Sequence, residues 1–527
     1  MVSGSEELDP VTLYGYTELK LRVPIMKMTK IALVCVLLGT GRVLLAAGPE
    51  QNLEKTFPVA GGGKLIVMAD QGSIDVKTTD TDKVEVHVLR EAKQATQAQA
   101  LDLFSNHEVT FTQERNVVSV SARNTKTSNG FSWRGRPYLE VRYLINLPRK
   151  FDVELSTSGG DVRVGELDGA ATARTSSGAI DLAGATGKIE ARNSGGDIEV
   201  GAARSDVSAR TSSGAIRLRA VGGRVEASNS GGDIRLGDIG GDVVARTSSG
   251  AIQLRSTHGA AELSNSGGDI SVEEARGEVR AQTSSGQIAL RVIQGAVNAK
   301  NSGGDVKIES AGGSVTARTS SGAIRIGHVG GKLVEARNSG GDISIGEAAG
   351  GVVVETSSGN IRLKSAGGNV EAKNSGGNIT LGDLGGEVVA QTSSGNVEIH
   401  LAKGQADLKN SGGNISLAEA RGAVVATTSS GTIAVGFTKQ PTADSRMEVS
   451  GGGITLTLPE TAALNLDAHS SGGRIVADIP VTITIHGETR TDALQGKING
   501  GGPAMLLRSS SGDIHLKKLV RLLEKEG

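Results

Sequence analysis

Over the middle of this chain, hydrophobic and polar positions recur with a fixed spacing. Each unit reads T/N-S-S/G-G-x-I-x-L-x-x-x-x-G-x-V-x-A-x. In the unit that begins at Thr211, Ile216 and Leu218 alternate with polar residues, and Val225 and Ala227 do the same nine residues later. A period of two places alternate side chains on opposite faces of a β-strand. Each unit therefore predicts two short strands that face each other across a thin core.

Sixteen such units follow one another, and every interval but one is 18 residues; the exception, from 319 to 338, is 19. The column that contains Ile216 is Ile or Val in every unit, and the column that contains Leu218 is Leu, Ile or Val. Such columns arise when equivalent residues of successive coils stack about 4.8 Å apart. The sequence therefore predicts an all-β fold, a β-solenoid (β-helix) of 18-residue coils with two sheets.

Two other repeat architectures do not fit this pattern. A left-handed hexapeptide helix needs an aliphatic residue at every sixth position, but the residues 6 and 12 positions after Ile216 are Gly222 and Ser228. The calcium-binding nonapeptide repeat needs G-G-x-G-x-D, which the recurring S-G-G-D-I does not supply.

Glycine and small polar residues mark the corners of the predicted coils. The fourth residue of every unit is Gly, which we expect to adopt left-handed backbone angles where the chain reverses. The first residue alternates between Thr and Asn, as in Thr211 and Asn229, so the full period is 36 residues. Continuing the alternation from Val225 and Ala227 places Asn229 inward. This predicts a ladder of buried Thr and Asn side chains that form hydrogen bonds along the tube axis.

The pattern divides the chain into four segments. Residues 1–48 form an upstream extension with a signal peptide, and residues 49–150 an N-terminal cap with the first irregular coils. The cap holds most of the aromatic residues, and Glu91 to Phe104 predicts one short helix within it. Residues 151–436 form the regular solenoid and residues 437–527 the irregular C-terminal coils and cap. Caps are expected because an open end exposes unpaired strand backbone.

The first segment has the layout of a secretory signal. Met26 to Lys30 is a short basic lead, Ile31 to Leu38 is apolar, and Leu45 to Gly48 offers small residues for cleavage. The only cysteine, Cys35, lies within this segment. We therefore expect an exported protein (periplasmic, on the cell surface or secreted) whose mature chain has no transmembrane segment.

Charge and composition exclude several functional classes. Lys and Arg together number 56 against 57 Asp and Glu, so no electrostatic attraction to nucleic acid is expected. The eight histidines are scattered without the spacing of a metal site, and no coil carries a distinctive nucleophile and base. We therefore expect no catalytic residues, no metal and no cofactor, and thus not an enzyme.

Two features of the predicted surface are candidates for ligand binding. One is the loop with Trp133, Arg134, Arg136 and Tyr138, whose aromatic rings beside arginines suit stacking on sugars or bases; the alternative is that these side chains plug the cap. The other is a pair of charged rows that suits a polyanion or cations, or is a solvated face that prevents edge pairing. The basic row is Arg174, Arg192, Arg210, Arg246, Lys300, Arg318 and Arg337, and the acidic row is Asp161, Asp197, Asp233, Asp269, Asp305 and Asp342.

The series N-S-G-G-D-I-x-L and T-S-S-G-x-I-x-L, with Gly72 to Val76 and Leu144 to Pro148, resembles the bacterial putative-adhesin domain family of unknown function over residues 56–516. The resemblance implies an exported β-solenoid of the cell envelope and carries over no catalytic residue. Together with the pattern, it favours a non-catalytic structural or adhesin-like protein that binds an unidentified envelope or extracellular ligand, glycan or protein, with self-association left open.

Two alternatives remain. A glycan-active β-helix enzyme would require an uneven groove with paired carboxylates. An ice-binding or other periodic-surface protein would require outward T-x-T pairs in every coil, whereas Thr at the corner recurs only once in 36 residues.

Overall fold

The computed structural model describes residues 48–126, 136–483 and 491–519. Within them, two sheets of 23 strands each face each other across a narrow aliphatic core, and one short helix lies near the N-terminal end. The predicted β-solenoid with two sheets per coil is therefore confirmed. We call the sheet with the Ile and Leu columns sheet A and the other sheet B. The predicted signal peptide lies outside the described residues.

The N-terminal elements are β1 (Glu50–Pro58), β2 (Gly63–Ala69), β3 (Ser73–Thr79), β4 (Lys83–Lys93), α1 (Gln97–Asn106), β5 (His107–Glu114), β6 (Val117–Asn124), β7 (Tyr138–Pro148) and β8 (Phe151–Thr157). The array strands of sheet A are β9 (Val162–Leu167), β11 (Ile180–Ala185), β13 (Ile198–Ala203), β15 (Ile216–Val221), β17 (Ile234–Ile239), β19 (Ile252–Thr257), β21 (Ile270–Ala275), β23 (Ile288–Ile293), β25 (Val306–Ala311), β27 (Ile324–Val329), β29 (Ile343–Ala348), β31 (Ile361–Ala366), β33 (Ile379–Leu384), β35 (Val397–Ala402), β37 (Ile415–Ala420) and β39 (Ile433–Phe437).

The array strands of sheet B are β10 (Ala171–Thr175), β12 (Ile189–Asn193), β14 (Val207–Arg210), β16 (Val225–Ser228), β18 (Val243–Arg246), β20 (Ala261–Ser264), β22 (Val279–Gln282), β24 (Val297–Lys300), β26 (Val315–Thr319), β28 (Leu333–Asn338), β30 (Gly351–Thr356), β32 (Val370–Asn374), β34 (Val388–Thr392), β36 (Ala406–Asn410) and β38 (Val424–Thr428). The C-terminal strands are β40 (Ser445–Val449), β41 (Ile454–Leu458), β42 (Leu464–Ser470), β43 (Ile475–Ala477), β44 (Ala493–Ile498), β45 (Ala504–Ser509) and β46 (Ile514–Lys518).

Successive coils of the array pair in parallel with equivalent residues in register. Ile216 lies opposite Ile234 in sheet A, and the same register repeats in sheet B. The predicted inward residues are buried throughout the array. The structure adds a third inward column in sheet A, which contains Val221, because two consecutive residues, Arg219 and Ala220, both point outward and reset the alternation. The core of each coil is therefore wider than the strict alternation predicted.

The predicted polar ladder is present, with backbone partners. Asn229 is buried, and its Nδ2 donates a hydrogen bond of 2.6 Å to the carbonyl oxygen of Gly214 in the preceding coil. In the next coil the hydroxyl of Thr247 donates to the carbonyl of Gly232 at 3.1 Å. The ladder therefore runs from each side chain to the backbone of the coil before it, and each bond connects two coils along the axis.

The reason for the corner glycines differs from the prediction. Of the glycines described, only five have a positive φ, and all lie in the cap, at its junction with the array, or near the C-terminal end. Within the array, the limit is space: a Cβ at Gly214 would overlap the carbonyl group of Gly196 in the preceding coil. At the fourth position of the unit, neighbouring coils approach too closely for any side chain, so glycine recurs there because of packing between coils.

Both ends of the array contain a coil inserted out of chain order. At the N-terminal end, the coil β2–β3 lies between the coil β6–β7 and the first array coil β8–β9. At the C-terminal end, β45–β46 lies between β40–β41 and β42–β43. Antiparallel strands then close the described sheets: β4 pairs with β7 and β1 with β4, β5 pairs with β6, and β44 pairs with β42.

The helix of the cap begins later than predicted. Inward alternation continues through Arg90 and Ala92, so β4 extends to Lys93 and the helix occupies Gln97–Asn106. Thr96 caps its N-terminus: its hydroxyl accepts from the N–H of Gln99, whose side chain accepts from the N–H of Thr96. The capping residues define the start of the helix more sharply than its composition did.

Candidate binding surfaces

The predicted ligand loop is described only in part. Trp133 and Arg134 lie outside the described residues, whereas Arg136 and Tyr138 are exposed where β7 begins. Tyr138 borders a shallow groove of about 350 Å³ between the cap and the first array coil, with Asp161 among its lining residues. The groove therefore places one aromatic ring beside two carboxylates, those of Glu140 and Asp161.

The acidic row supports the backbone at the corners. Asp197 Oδ1 accepts a hydrogen bond of 2.8 Å from the N–H of Ala215 in the next coil, and its Oδ2 lies 2.7 Å from Arg217 Nη1. The guanidinium of Arg217 and this N–H hold the pKa of the Asp197 carboxyl below its usual value. The carboxylates are thus largely occupied within the protein, and no group of three or more His, Cys, Asp or Glu suited to a metal occurs among the described residues.

Five of the seven residues of the basic row form ion pairs with acidic residues of sheet B. Arg210 Nη2 lies 2.6 Å from Glu226, and Arg318 Nη2 lies 2.8 Å from Glu335. The Arg318 guanidinium holds the pKa of Glu335 below its usual value. These pairs alternate in sign along the face, so the row does not present a continuous positive surface to a polyanion.

A buried polar cluster beneath the cap helix was not predicted. Arg90 is 5% exposed, and its Nη1 donates to the carbonyl oxygens of Phe104 (3.1 Å) and His107 (2.8 Å), while Nη2 donates to Gln51 (2.6 Å). The Tyr143 hydroxyl lies 3.4 Å from His107 Nε2. Because Phe104 lies in the last turn of α1, Arg90 anchors the negative end of the helix dipole to the tube. The sequence signal is a polar residue, Arg90, at an inward position of an otherwise apolar strand.

The same cluster contains a perturbed histidine. His107 is 1% exposed, and burial, reinforced by the nearby Arg90 charge, lowers its pKa to about 4. Burial also raises the pKa of the Tyr143 hydroxyl. His107 is therefore neutral near pH 7 and lies in the core of the N-terminal cap, away from the outer faces of the sheets.

Sheet A also carries a depression that the sequence reasoning missed. It measures about 800 Å³ and crosses several consecutive coils of the outer face; its polar lining residues are Glu199, Arg217, Arg219, Arg235, Gln253, Arg255, Ser271 and Glu273. Gly237, which has no side chain, lies in the middle one of the strands that line it. The available signal was an arginine 18 residues before and another 18 residues after a glycine that faces outward.

A family model described as toastrack DUF4097 matches the chain three times, at residues 189–345, 294–406 and 352–517, which together cover more than half of it. No curated protein matches the sequence.

Among solved structures, a putative adhesin from Bacteroides fragilis NCTC 9343 is 16% identical and covers 48% of this chain and 97% of its own, with a TM-score of 0.24. A putative cell adhesion protein from Clostridium sporogenes ATCC 15579 is 7% identical; the match covers 89% of this chain and 100% of the other, with a TM-score of 0.14. A putative lipid binding protein from Parabacteroides distasonis ATCC 8503 is 15% identical; the match covers 53% of this chain and 94% of the other, with a TM-score of 0.18. Similarities this weak do not bear on the ligand.

Proposed function

The chain belongs to the toastrack DUF4097 family, and we propose that it is a non-catalytic, adhesin-like scaffold of the cell envelope that presents a long repetitive surface to a ligand. The observation that carries this proposal is the uniformity of the array. The same inward columns, corner residues and register recur over sixteen units, so a given outward position recurs about every 4.8 Å along the axis. Such a surface suits extended contact with a repetitive partner.

The environment of the polar side chains supports binding over catalysis. A general acid or base needs a perturbed pKa in a cleft that substrate can reach. Among the described residues, His107 has a strongly lowered pKa, but its side chain is 1% exposed and lies inside the N-terminal cap, where a substrate could not reach it. The carboxylates of the array instead accept hydrogen bonds from the next coil or form ion pairs, as Asp197 does with Ala215 and Arg217.

Export is part of the proposal. It rests on the basic lead, apolar stretch and small-residue site within residues 1–48, which would be removed to leave the solenoid with its caps. No helix among the described residues has the length and apolarity needed to span a membrane. The location is thus proposed to be the periplasm, the cell surface or the medium.

The cap supplies a further part of the proposed binding surface. We assign Trp133, Arg134, Arg136 and Tyr138 to it, on the basis of the exposed Tyr138 ring beside its groove. This end is chemically distinct from the array because the array's outer faces carry charged and small residues, whereas the cap carries most of the aromatic ones.

Cell fractionation of the full chain with a C-terminal tag tests this function. We expect the tagged protein in the envelope or medium, with an N-terminus near Ala47 to Pro49 by mass spectrometry. We also expect the purified mature protein to show saturable binding to isolated envelopes or intact cells. Cytosolic protein with an intact Met26 would contradict the proposal, and so would an envelope-located protein without saturable binding to either surface.

A further inference from the structure

The depression on sheet A has a defined geometry around Gly237. Arg219 and Arg255 occupy the equivalent outward position one coil before and one coil after, so their Cα atoms are about 9.6 Å apart, two coil spacings. Arg235 lies in the same strand as Gly237, two residues earlier, and Arg217 lies opposite Arg235 in the preceding strand. Four arginines therefore surround a length of bare backbone and form a slot, which we call the Gly237 slot.

The floor of this slot is fixed by the packing of the coils. A Cβ at Gly237 would overlap the carbonyl oxygen of Arg219, so no other residue fits there without a backbone shift. The side chains of Arg219 and Arg255 are 74% and 57% exposed, so they stand above the floor as walls. The packing of the coils therefore forms the floor of the slot before any ligand binds.

Every arginine of the slot already has a carboxylate partner. Arg217 pairs with Asp197 (2.7 Å), Arg219 with Glu199 (2.5 Å), Arg235 with Asp233 (2.7 Å) and Arg255 with Asp238. With Glu273 also in the lining, five carboxylates accompany the four guanidinium groups.

This balance of charge defines the ligand chemistry. A polyanion gains little where carboxylates equal or outnumber guanidinium groups. A guanidinium carries five N–H donors, however, and these pairs leave several of them free, while each carboxylate keeps lone pairs. The slot therefore offers both donors and acceptors, and the amide of Gln253 and the hydroxyl of Ser271 add to them. A sugar hydroxyl both donates and accepts, so a chain of uncharged sugars matches the slot on both counts.

We propose that the Gly237 slot binds a neutral polysaccharide strand. This inference rests on the proposed function and names the class of ligand that would bind to the array. No aromatic residue lines the slot, so binding depends on hydrogen bonds and is weak at one site.

A related arrangement recurs further along sheet A, and two sites on one array would raise the avidity of the protein for a long chain. There Gly382 lies between Lys364 and His400, with His400 Nδ1 2.7 Å from Asp383 and Lys364 Nζ 2.7 Å from Glu347.

Binding of the mature protein, residues 48–527, to immobilised glucans, mannans, galactans and acidic polysaccharides tests the proposal. We expect binding to at least one neutral polymer that changes little between low and high salt. The double variant Arg219→Ala/Arg255→Ala should weaken it by about tenfold, because it removes two charged hydrogen-bonding groups. Arg280→Ala is the matched control: this arginine lies on sheet B, is 60% exposed and pairs with Glu278.

Each other outcome overturns the inference. Equal loss in the double variant and in Arg280→Ala would remove the slot from the binding surface, provided that circular dichroism shows both variants folded. Binding confined to acidic polymers and abolished by salt would identify a polyanion site instead. Absence of binding to every polymer would refute a glycan ligand, while the envelope location measured by fractionation would stand or fall separately.

Discussion

Replacing Asn265 by leucine tests the polar ladder directly. Asn265 is 5% exposed; its Nδ2 donates to the carbonyl of Gly250 at 2.6 Å, and its Oδ1 accepts from the N–H of Gly267 at 3.2 Å. Leucine is similar in size, so the substitution removes hydrogen bonds without opening a large cavity. The N–H of Gly267 retains the carbonyl of Ser248 at 2.9 Å, but the carbonyl of Gly250 loses its side-chain donor. We expect a loss of about 1–3 kcal/mol, the cost of leaving a buried polar group unpaired.

Two control variants separate the ladder from its surroundings. Asn265→Thr should cost only about 0.5 kcal/mol, because a native coil already begins T-S-G-G-D and its Thr157 hydroxyl donates to the carbonyl of Gly72 at 2.8 Å. Arg280→Ala, on the outer face of sheet B, should cost about 0–1 kcal/mol, as expected for an exposed ion pair.

Denaturant melts and native-state hydrogen exchange provide the measurement. Exchange is needed because long repeat arrays depart from two-state unfolding, so a local weakening can escape a global melt. Faster exchange in the coils next to position 265 is expected for Asn265→Leu alone. If Asn265→Leu exchanged like the wild-type protein, or if Arg280→Ala were equally destabilised, the assignment of a stabilising buried ladder would be wrong.

Three further predictions concern the array and the N-terminal cap. Deleting residues 211–246 removes one Thr coil and one Asn coil, so small-angle scattering should show a folded tube about 10 Å shorter. Deleting residues 211–219 mismatches the two sheets and should cause aggregation. Similar behaviour of the two deletions would contradict the two-sheet coil. Gly231→Ser should be tolerated, because the nearest atom to its added Cβ is 3.4 Å away and the preceding coil has serine at this position. Gly232→Ser would overlap the backbone of Gly214 and should unfold the corner. Circular dichroism melts measure both effects, and equal melts would refute the packing argument. The folded pKa of His107, about 4, lies below the unfolded value of 6.5, so the unfolded cap binds more protons between these pH values. The stability of the cap is therefore complete above pH 6.5 and falls by about 3 kcal/mol as the pH drops to 4. Hydrogen exchange of α1 at pH 7 and 4.5 should show this loss, and His107→Gln should abolish the difference.

The array could be predicted from the sequence because its information is local and repeated. Alternation of apolar and polar residues places Ile216, Leu218, Val225 and Ala227 inward, and sixteen copies make chance agreement implausible. The Val221 column was missed because alternation breaks at two outward residues, a local irregularity that a strict period of two does not represent.

The arrangement of the ends and of the Gly237 slot was not accessible in the same way. The position of a coil such as β2–β3 depends on which strand edges are free after the rest has folded, and no local pattern encodes that choice. The column of Arg219, Gly237 and Arg255 could be read from the 18-residue spacing. The ion pairs of its arginines, such as that of Arg255 with Asp238, depend on side-chain conformations that the repeat does not encode. The Arg90 cluster was readable in principle from one polar residue in an apolar alternation, but its helix partner was not.

The inserted coil at the C-terminal end has a consequence for the order of assembly. The chain emerges with its N-terminus first, so β40 to β43 are available for folding before β45 and β46. Residues 504–518 lie between two coils that precede them in sequence, so their contacts have a long sequence separation, and we expect their insertion to be the last step of assembly. The coil β45–β46 thus covers the end of the array. A chain truncated before Ala504 would keep the array but leave β40–β41 without the coil that pairs with them.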